Sequence, residues 1–419
     1  MAMRKIFFIF FVASLVAVAC RAGATEVPKQ IKIGTLYASS GTFAPLSMPV
    51  HYGLKLWVDR MNAEGGVYIE AYGKRIPIKL ISYDDQSNTA TAASLYDQLI
   101  TQDKVNILIA DAGSVLTSVA LPIAREHKML LIDPIGIGAP FFTPDSPYIV
   151  LIGGPVSTIW CKNIHEFITD EGSKLGIKRV AILYSTNDFT GTQANTIRKA
   201  IEKSRTGIKV VYDQGVPTST TSYTVIINGI KAAKPDAVIE LGYPINDISF
   251  LRNLRESGVK FKWLFTSYPG METEHFEKTV GVKGLYYVYT DMPASIMNYK
   301  AAFGMSLPEF HAAWNKQYPG GKVGFDFNSV VGYTTGLVLE KALGSAASMD
   351  QLAVRQAIVG LSGKLKTLDG TFAVDPKTGA QIGETMPIGQ ILPSGKDGIK
   401  LIVVYPKQLA TGKLVYPAP

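Results

Sequence analysis

The chain has 419 residues, 47% of them hydrophobic, with 42 Lys and Arg against 34 Asp and Glu, a formal charge of +8 and only two cysteines. The basic surplus is scattered, with no run of Lys or Arg long enough for a nucleic-acid-binding arm, and a chain able to bury a large core needs no disulfide framework. After residue 25 no stretch is long and apolar enough for a membrane helix. The first residues read as an address. Arg4 and Lys5 form a positive n-region, residues 6–19 are an apolar run short for a bilayer span, and Ala22, Gly23 and Ala24 supply a small-residue cleavage site. This predicts a signal peptide over residues 1–24 and an exported, periplasmic protein. The competing reading makes Cys20 a lipid anchor, but Ala17 stands where that motif normally has a larger aliphatic residue. With cleavage after Ala24 the charge falls from +8 to +5 as Arg4, Lys5 and Arg21 leave. Cys161 then has no partner for a disulfide and is read as a buried helix residue rather than a nucleophile.

A mature length of about 395 residues fits two domains better than one. In the first half, residues 31–36, 76–82, 105–110, 129–132 and 148–152 read as strands, with helices at 50–62, 90–101 and 114–127. The rhythm then restarts, with strands at 180–184, 209–212, 237–241, 263–266 and 285–289 and helices near 192–204, 223–233 and 245–257. Three helices follow at 308–318, 328–343 and 349–360, best placed back on the first unit. Short strands at 371–373, 389–392 and 399–405 close the second. The expectation is an α/β protein of two doubly wound, Rossmann-like lobes joined by a three-strand hinge. The lobes divide as 25–152 and 289–368 for the first, 153–288 and 369–419 for the second. The chain then changes lobe near residues 152, 289 and 368.

The sharpest unit is residues 105–140. Two short apolar runs end in Asp111, Ala112, Gly113, Ser114 and in Asp133, Pro134, Ile135, Gly136, with a helix-length segment between them. This is a strand–helix–strand unit with parallel strands and a right-handed connection. Ligands of open parallel sheets bind beyond the carboxyl ends of strands. Gly113, Ser114 and Gly136 are therefore candidate binding residues, Gly113 for close backbone approach and Ser114 as a hydroxyl and amide at a helix N-terminus, suited to an anion.

IKIGTLYASSGTFA, NAEGGV, ISYDDQSNTATAA, GSVLTSVALPIA, KPDAVIELG and TLDGTFAVDPKTGAQIG occur in that order. Together they closely resemble the branched-chain-amino-acid (Leu/Ile/Val) binding proteins of ABC importers, with the type I periplasmic-binding-protein fold, over essentially the whole mature chain. The resemblance implies two lobes, a cleft that closes on a small ligand, permease and ATPase subunits as partners, and no enzymatic chemistry. Nucleic acid, metal and cofactor are not expected, and a monomer is. Carried over residue by residue, the ligand's carboxylate end would meet Ser39, Ser40 and Gly41, Gly113 and Ser114, and Ile135, Gly136 and Ile137. The opposite lobe would offer Phe189, Tyr243 and Tyr268. Two departures bear on the ligand. Ile137 and Gly138 stand where family members commonly have threonine, and Thr266, Ser267, Tyr268 and Pro269 where a glutamate commonly takes the ligand's ammonium. Asp133, Asp188 and Asp247 are the available substitutes. An unpaired buried ammonium is costly, so the expectation is a carboxylate with a flat or aromatic body, which the three aromatics would stack.

Each site residue has a plainer reading: Ser114 an N-cap, Gly136 a turn glycine, Tyr243 and Tyr268 cleft-edge aromatics. Enzyme motifs fail. Gly136 and Gly138 lack the third glycine of a dinucleotide loop, having Phe141 in its place, and neither Gly320-Gly321-Lys322 nor Gly363-Lys364 continues as a phosphate loop. His165-Glu166 lacks a second histidine, no Gly-x-Ser-x-Gly elbow occurs, and the five histidines are scattered. The alternatives are a ligand-sensing subunit of a signalling receptor and an enzyme with an unrecognised site.

Overall fold

The computed structural model describes residues 27–293, 297, 299–321, 323–383 and 385–419; the expected signal peptide and Cys20 lie outside them. The first half runs β1 (Ile31–Tyr37), α1 (Ala44–Ala63), a hairpin of β2 (Val67–Ile69) and β3 (Lys74–Ile76), β4 (Ile78–Asp84), α2 (Thr89–Thr101), β5 (Ile107–Ile109), α3 (Ser114–Glu126), β6 (Leu131–Asp133) and β7 (Ile149–Leu151). Five of these strands form a wholly parallel sheet in the order β4-β1-β5-β6-β7. Alternation along each strand feeds two cores. Ile31, Ile33, Ile107, Ile109 and Ile132 face α1 and its neighbours. Leu108 and Leu131 face α2 and α3 through Tyr96, Leu99, Leu116 and Ala120.

The second half adds α4 (Ser157–Trp160), α5 (Lys162–Glu166), β8 (Arg179–Ser185), α6 (Thr190–Lys203), β9 (Lys209–Val216), α7 (Thr224–Ala232), β10 (Ala237–Leu241), α8 (Pro244–Ser257), β11 (Leu264–Phe265), α9 (Thr273–Thr279) and β12 (Tyr289–Asp291). It continues through α10 (Leu307–Gln317), α11 (Phe327–Leu343), α12 (Gln351–Gly360), the hairpin β13 (Leu365–Thr367) and β14 (Gly370–Phe372), β15 (Ile388–Ser394) and β16 (Gly398–Tyr405). The second sheet has the order β16-β15-β12-β11-β10-β8-β9. Its strands from β9 to β12 are parallel, while β15 and β16 add antiparallel edges.

The molecule is thus a two-lobed α/β protein with a doubly wound parallel sheet in each lobe. Phe310, Trp314, Val330, Tyr333, Val338, Val354 and Ile358 of α10–α12 pack in the core of the first sheet. β12 belongs to the second sheet, so the chain leaves that lobe after Asp291 rather than before Tyr289. Phe372 and Val374 still pack with the first sheet, so the last change of lobe follows them rather than Leu368.

Element boundaries differ where the sequence pattern was read too narrowly. α1 starts at Ala44, six residues before the expected 50. Pro45 sits in the first turn, where an amide has no helical partner, and Pro49 forfeits only the bond to the Pro45 carbonyl. The run expected as a strand at 285–289 begins as a 3-10 turn over Val282–Leu285, and only Tyr289–Asp291 pairs as β12. Burial of Leu285 and Val288, which strand and turn share, produced the apolar signal. Cys161 lies fully buried between α4 and α5, and burial pushes its thiol pKa up.

Candidate functional site

β5 ends at Ile109, and Gly113 turns the chain into α3 with φ 102°, a conformation that favours glycine. A Cβ there would stand 3.2 Å from Leu46 Cδ2 and 3.5 Å from both Cε1 and the hydroxyl of Tyr243. The aromatic side chain from the second lobe therefore lies directly on the Gly113 backbone. Ser114 is buried, and its Oγ accepts the Gly138 amide at 2.9 Å, which leaves its own proton to donate. The amides of Ser114 and Val115 are among the unpaired first donors of α3. They face the Tyr243 hydroxyl without closing a hydrogen bond of good geometry. Burial raises the pKa of this phenol, and the Val115 and Ser114 amides pull it partly back.

Tyr243 leads into α8, where Asn246 and the tyrosine backbone form a capping box. Its ring meets Phe43 of the first lobe edge-on, at 5.3 Å and 80°, and Phe189 at 5.6 Å. Phe189 meets Trp160 at 5.8 Å, and Trp160 meets Phe327 at 6.2 Å. Five rings thus form a row across the cleft, and all five are buried. The Trp160 indole donates to Asp291 Oδ2 at 2.8 Å, while Asp291 Oδ1 closes no hydrogen bond of good geometry, with the Ser267 hydroxyl beside the carboxylate. Beyond Tyr268, Glu272 Oε1 accepts the Asn328 side-chain amide of α11 at 3.0 Å. Phe327 N also reaches toward the Met271 carbonyl, at 3.5 Å. A row of apolar rings ending at a helix N-terminus on one side and at buried carboxyls on the other suits a small molecule with an apolar body and polar ends.

The sequence profile of the periplasmic binding proteins matches residues 30–397 of this chain. The chain belongs to the periplasmic binding protein family. A curated relative, Leu/Ile/Val-binding protein homolog 7 of Brucella melitensis biotype 1, is 25% identical over 411 residues, covering 96% of this chain and 98% of its own. Among solved structures, the branched-chain amino acid transporter substrate-binding protein LivJ of Streptococcus pneumoniae, in complex with isoleucine, superposes with a TM-score of 0.70 at 20% identity. It covers 90% of this chain and all of its own. A solute-binding protein of an ABC transporter from R. palustris, in complex with benzoate, gives a TM-score of 0.70 at 19% identity, over 88% of this chain and 95% of its own. The family and the type I fold implied by the ordered motifs are those found.

In this periplasmic binding protein, Gly113, Ser114, Phe189 and Tyr243 come together at the cleft. The other expected residues are placed differently. Ser39 is exposed, with its amide and hydroxyl both on Asp84; the carbonyl of exposed Ser40 accepts the Ser87 hydroxyl. The amides of Ile135 and Gly136 go to Asp133 Oδ1 at 3.1 and 2.6 Å, so they are spent inside the turn rather than offered to an anion. Ile137 is buried, and its carbonyl accepts the Ser157 amide. Tyr268 is buried, with its amide on Asp247 Oδ2 at 2.9 Å. Of the proposed substitute carboxylates, Asp133 braces its own turn and Asp247 braces the Tyr268 loop, while Asp188 packs against Gly138.

Sequence reading missed Phe43, Trp160, Asp291, Glu272 and Phe327. Phe43 lies inside the quoted IKIGTLYASSGTFA motif, two residues past Gly41. Glu272 lies four past Tyr268, so a search for a displaced acid in that loop would have found it. Trp160 and Asp291 carry no local pattern, since they lie 131 residues apart and only the folding of the second lobe brings them together. Among the described residues, no group of three or more His, Cys, Asp or Glu is disposed to hold a metal ion, and no helix is long and apolar enough to cross a membrane.

Proposed function

We propose that this protein is the extracytoplasmic solute-binding subunit of an ABC importer. It captures a small carboxylate-bearing ligand between its lobes and delivers it to permease and ATPase subunits by lobe closure, with no chemistry of its own. Residues 1–24 would serve as its export signal, and the delivered form would be a monomer. The observation that carries this reading is the start of α3, where two unpaired amides and the Ser114 hydroxyl converge on the end of the aromatic row. That arrangement stabilises negative charge, and the Tyr243 hydroxyl now stands where a ligand oxygen would go. Contacts to both lobes would favour the closed state and shift the population toward it. LivJ with isoleucine and the R. palustris protein with benzoate support a carboxylate of either aliphatic or aromatic body.

Phe43, Phe189 and Tyr243 favour a flat or aromatic acid without an α-ammonium group. A second reading, an amino-acid-like zwitterion, is favoured by Asp291, a buried carboxylate whose Oδ1 closes no hydrogen bond of good geometry. Isothermal calorimetry with benzoate and leucine separates the two. Ser114→Ala should weaken the bound acid by about 1.5–3 kcal/mol, the range for a hydrogen bond to a charged group. Asp291→Asn should abolish leucine binding under the second reading and spare benzoate under the first. An unchanged affinity in Ser114→Ala would remove the α3 end from the pocket.

A further inference from the structure

We propose that lobe closure in this protein is proton-linked, with Glu272 of the second lobe and Asp326 of the first acting as a latch that holds the closed state only while one of them carries a proton. The inference rests on the two-lobe closure reading above. Glu272 stands at the start of α9, next to the loop that follows β11 of the second sheet. Asp326 is the N-cap of α11, whose length packs on α1 in the first lobe. The seam between them is tight. Phe327 N lies 3.5 Å from the Met271 carbonyl, and Asn328 Nδ2 donates to Glu272 Oε1 at 3.0 Å. Glu272, Phe327 and Asn328 are only 3, 2 and 1% exposed.

Among the described residues, no cation acts on Glu272 or Asp326. The groups that act on Glu272 are Asp326 and Asn328 from α11 and Asp247 from α8, and Glu272 in turn acts on the Tyr268 phenol. Asp326 is held by the amides of Ser329 and Asn328 and by the Asn328 side chain. Asn328 Oδ1 is buried and has no donor among the described residues. A proton on Glu272 is the donor this seam is missing. Burial raises Glu272, and the Asp326 charge raises it further; burial likewise raises Asp326, to about 7.

Glu272 is buried and Asp326 half-buried, and like charges that act on each other there resist ionising together. When the lobes part, each regains water and its ordinary pKa of about 4. The closed state therefore binds at least one more proton than the open state between those limits. By linkage, closure is favoured at low pH and weakened as pH rises above the ordinary carboxylate range. A binding protein so built would hold its ligand more firmly in an acidified compartment and release it more readily in an alkaline one.

Small-angle scattering on the full chain without ligand tests this. The radius of gyration of the wild type should rise between pH 5 and pH 8.5. Glu272→Gln, which keeps the amide geometry but cannot ionise, should stay compact across that range. Asp326→Asn should do the same, and it stands in if Glu272→Gln fails to fold, with near-UV circular dichroism as the check. A wild-type radius independent of pH, or variants that expand with the wild type, overturns the latch. No ligand enters these measurements, so failure here leaves the pocket assignment to the calorimetry above.

Discussion

Gly136 shows how a glycine that faces a candidate pocket can be required by packing behind it. A Cβ at that position would lie 1.9 Å from Thr117 Oγ1 and 2.3 Å from Asp133 Oδ2, in a turn whose amides already satisfy the Asp133 carboxylate. Asp133 is fully buried, and burial pushes its pKa to about 6 against the hydrogen bonds that lower it. Gly136→Ala should therefore destabilise the fold by about 1–3 kcal/mol, as overpacking typically does, and should break the hydrogen bonds that hold the Ile135 turn. Chemical denaturation of the variant measures this. A midpoint equal to that of the wild type would mean the turn relaxes freely and Gly136 is available to a ligand after all. The same reasoning separates Ser114 from its neighbours. Its hydroxyl bridges Gly138 and still has a proton facing the cleft, whereas the Ile135 and Gly136 amides have no capacity left.

At the scale of elements, the first lobe is held by the crossing of α1 and α11, the most extensive helix–helix contact among the described residues. Small residues allow the backbones to touch. A Cβ on Gly332 would come within 1.9 Å of the Val50 carbonyl oxygen, and one on Gly53 within 2.1 Å of the Ser329 carbonyl oxygen. Neither obstacle is a movable side chain, so the helices would have to separate. Close-packed interiors resist that. Gly332→Ala should lower stability by about 1–3 kcal/mol or more, with a lower thermal midpoint. Because α11 also carries Phe327 and Asn328 at its N-terminus, the shift should reach the seam between the lobes. Gly344→Ala, at the C-cap of the same helix, where a Cβ would come no nearer than 3.3 Å to the Glu340 carbonyl oxygen, serves as the control.

Across the described residues of the molecule, acids raised by burial outnumber bases that burial lowers toward or below neutrality. Burial raises Asp85 and Asp133 to about 6 and Asp247 and Asp326 to about 7, while it lowers His51 to about 4. Each raised acid is neutral in the fold and ionised in the unfolded chain between its ordinary pKa of about 4 and its folded value. Unfolding thus releases protons, and stability is greatest at the low-pH side of that window and falls as pH rises through 6 to 7. His51, His165, His275 and His311 work the other way below their ordinary pKa, but burial also raises Asp111, Glu240, Glu272 and Asp291, so the acids outnumber them. Calorimetric melting should give a higher midpoint at pH 5.5 than at pH 8. A midpoint that rises with pH over that interval would show these carboxyls to be ionised in the folded protein.

How much of this was legible in the sequence follows from the range of each interaction. Hydrophobic periodicity is local, so residues 105–140 announced β5, α3 and β6 and the turn at Gly113 and Ser114 without help. The ordered motifs then identified the family across the chain. Boundaries set by shared burial, as at Leu285 and Val288, or by proline chemistry, as at Pro45 and Pro49, were blurred because apolar burial does not distinguish strand from turn. Whether an amide is free is a different kind of fact. The Gly136 and Ile135 amides looked available from their place after a strand, and only the fold turns the Asp133 carboxylate back onto them. The ring row from Phe43 to Phe327 and the Glu272–Asn328 seam join residues up to 284 positions apart. Only tertiary structure brings such residues together, because the lobe contact that buries them is absent from any local stretch of chain.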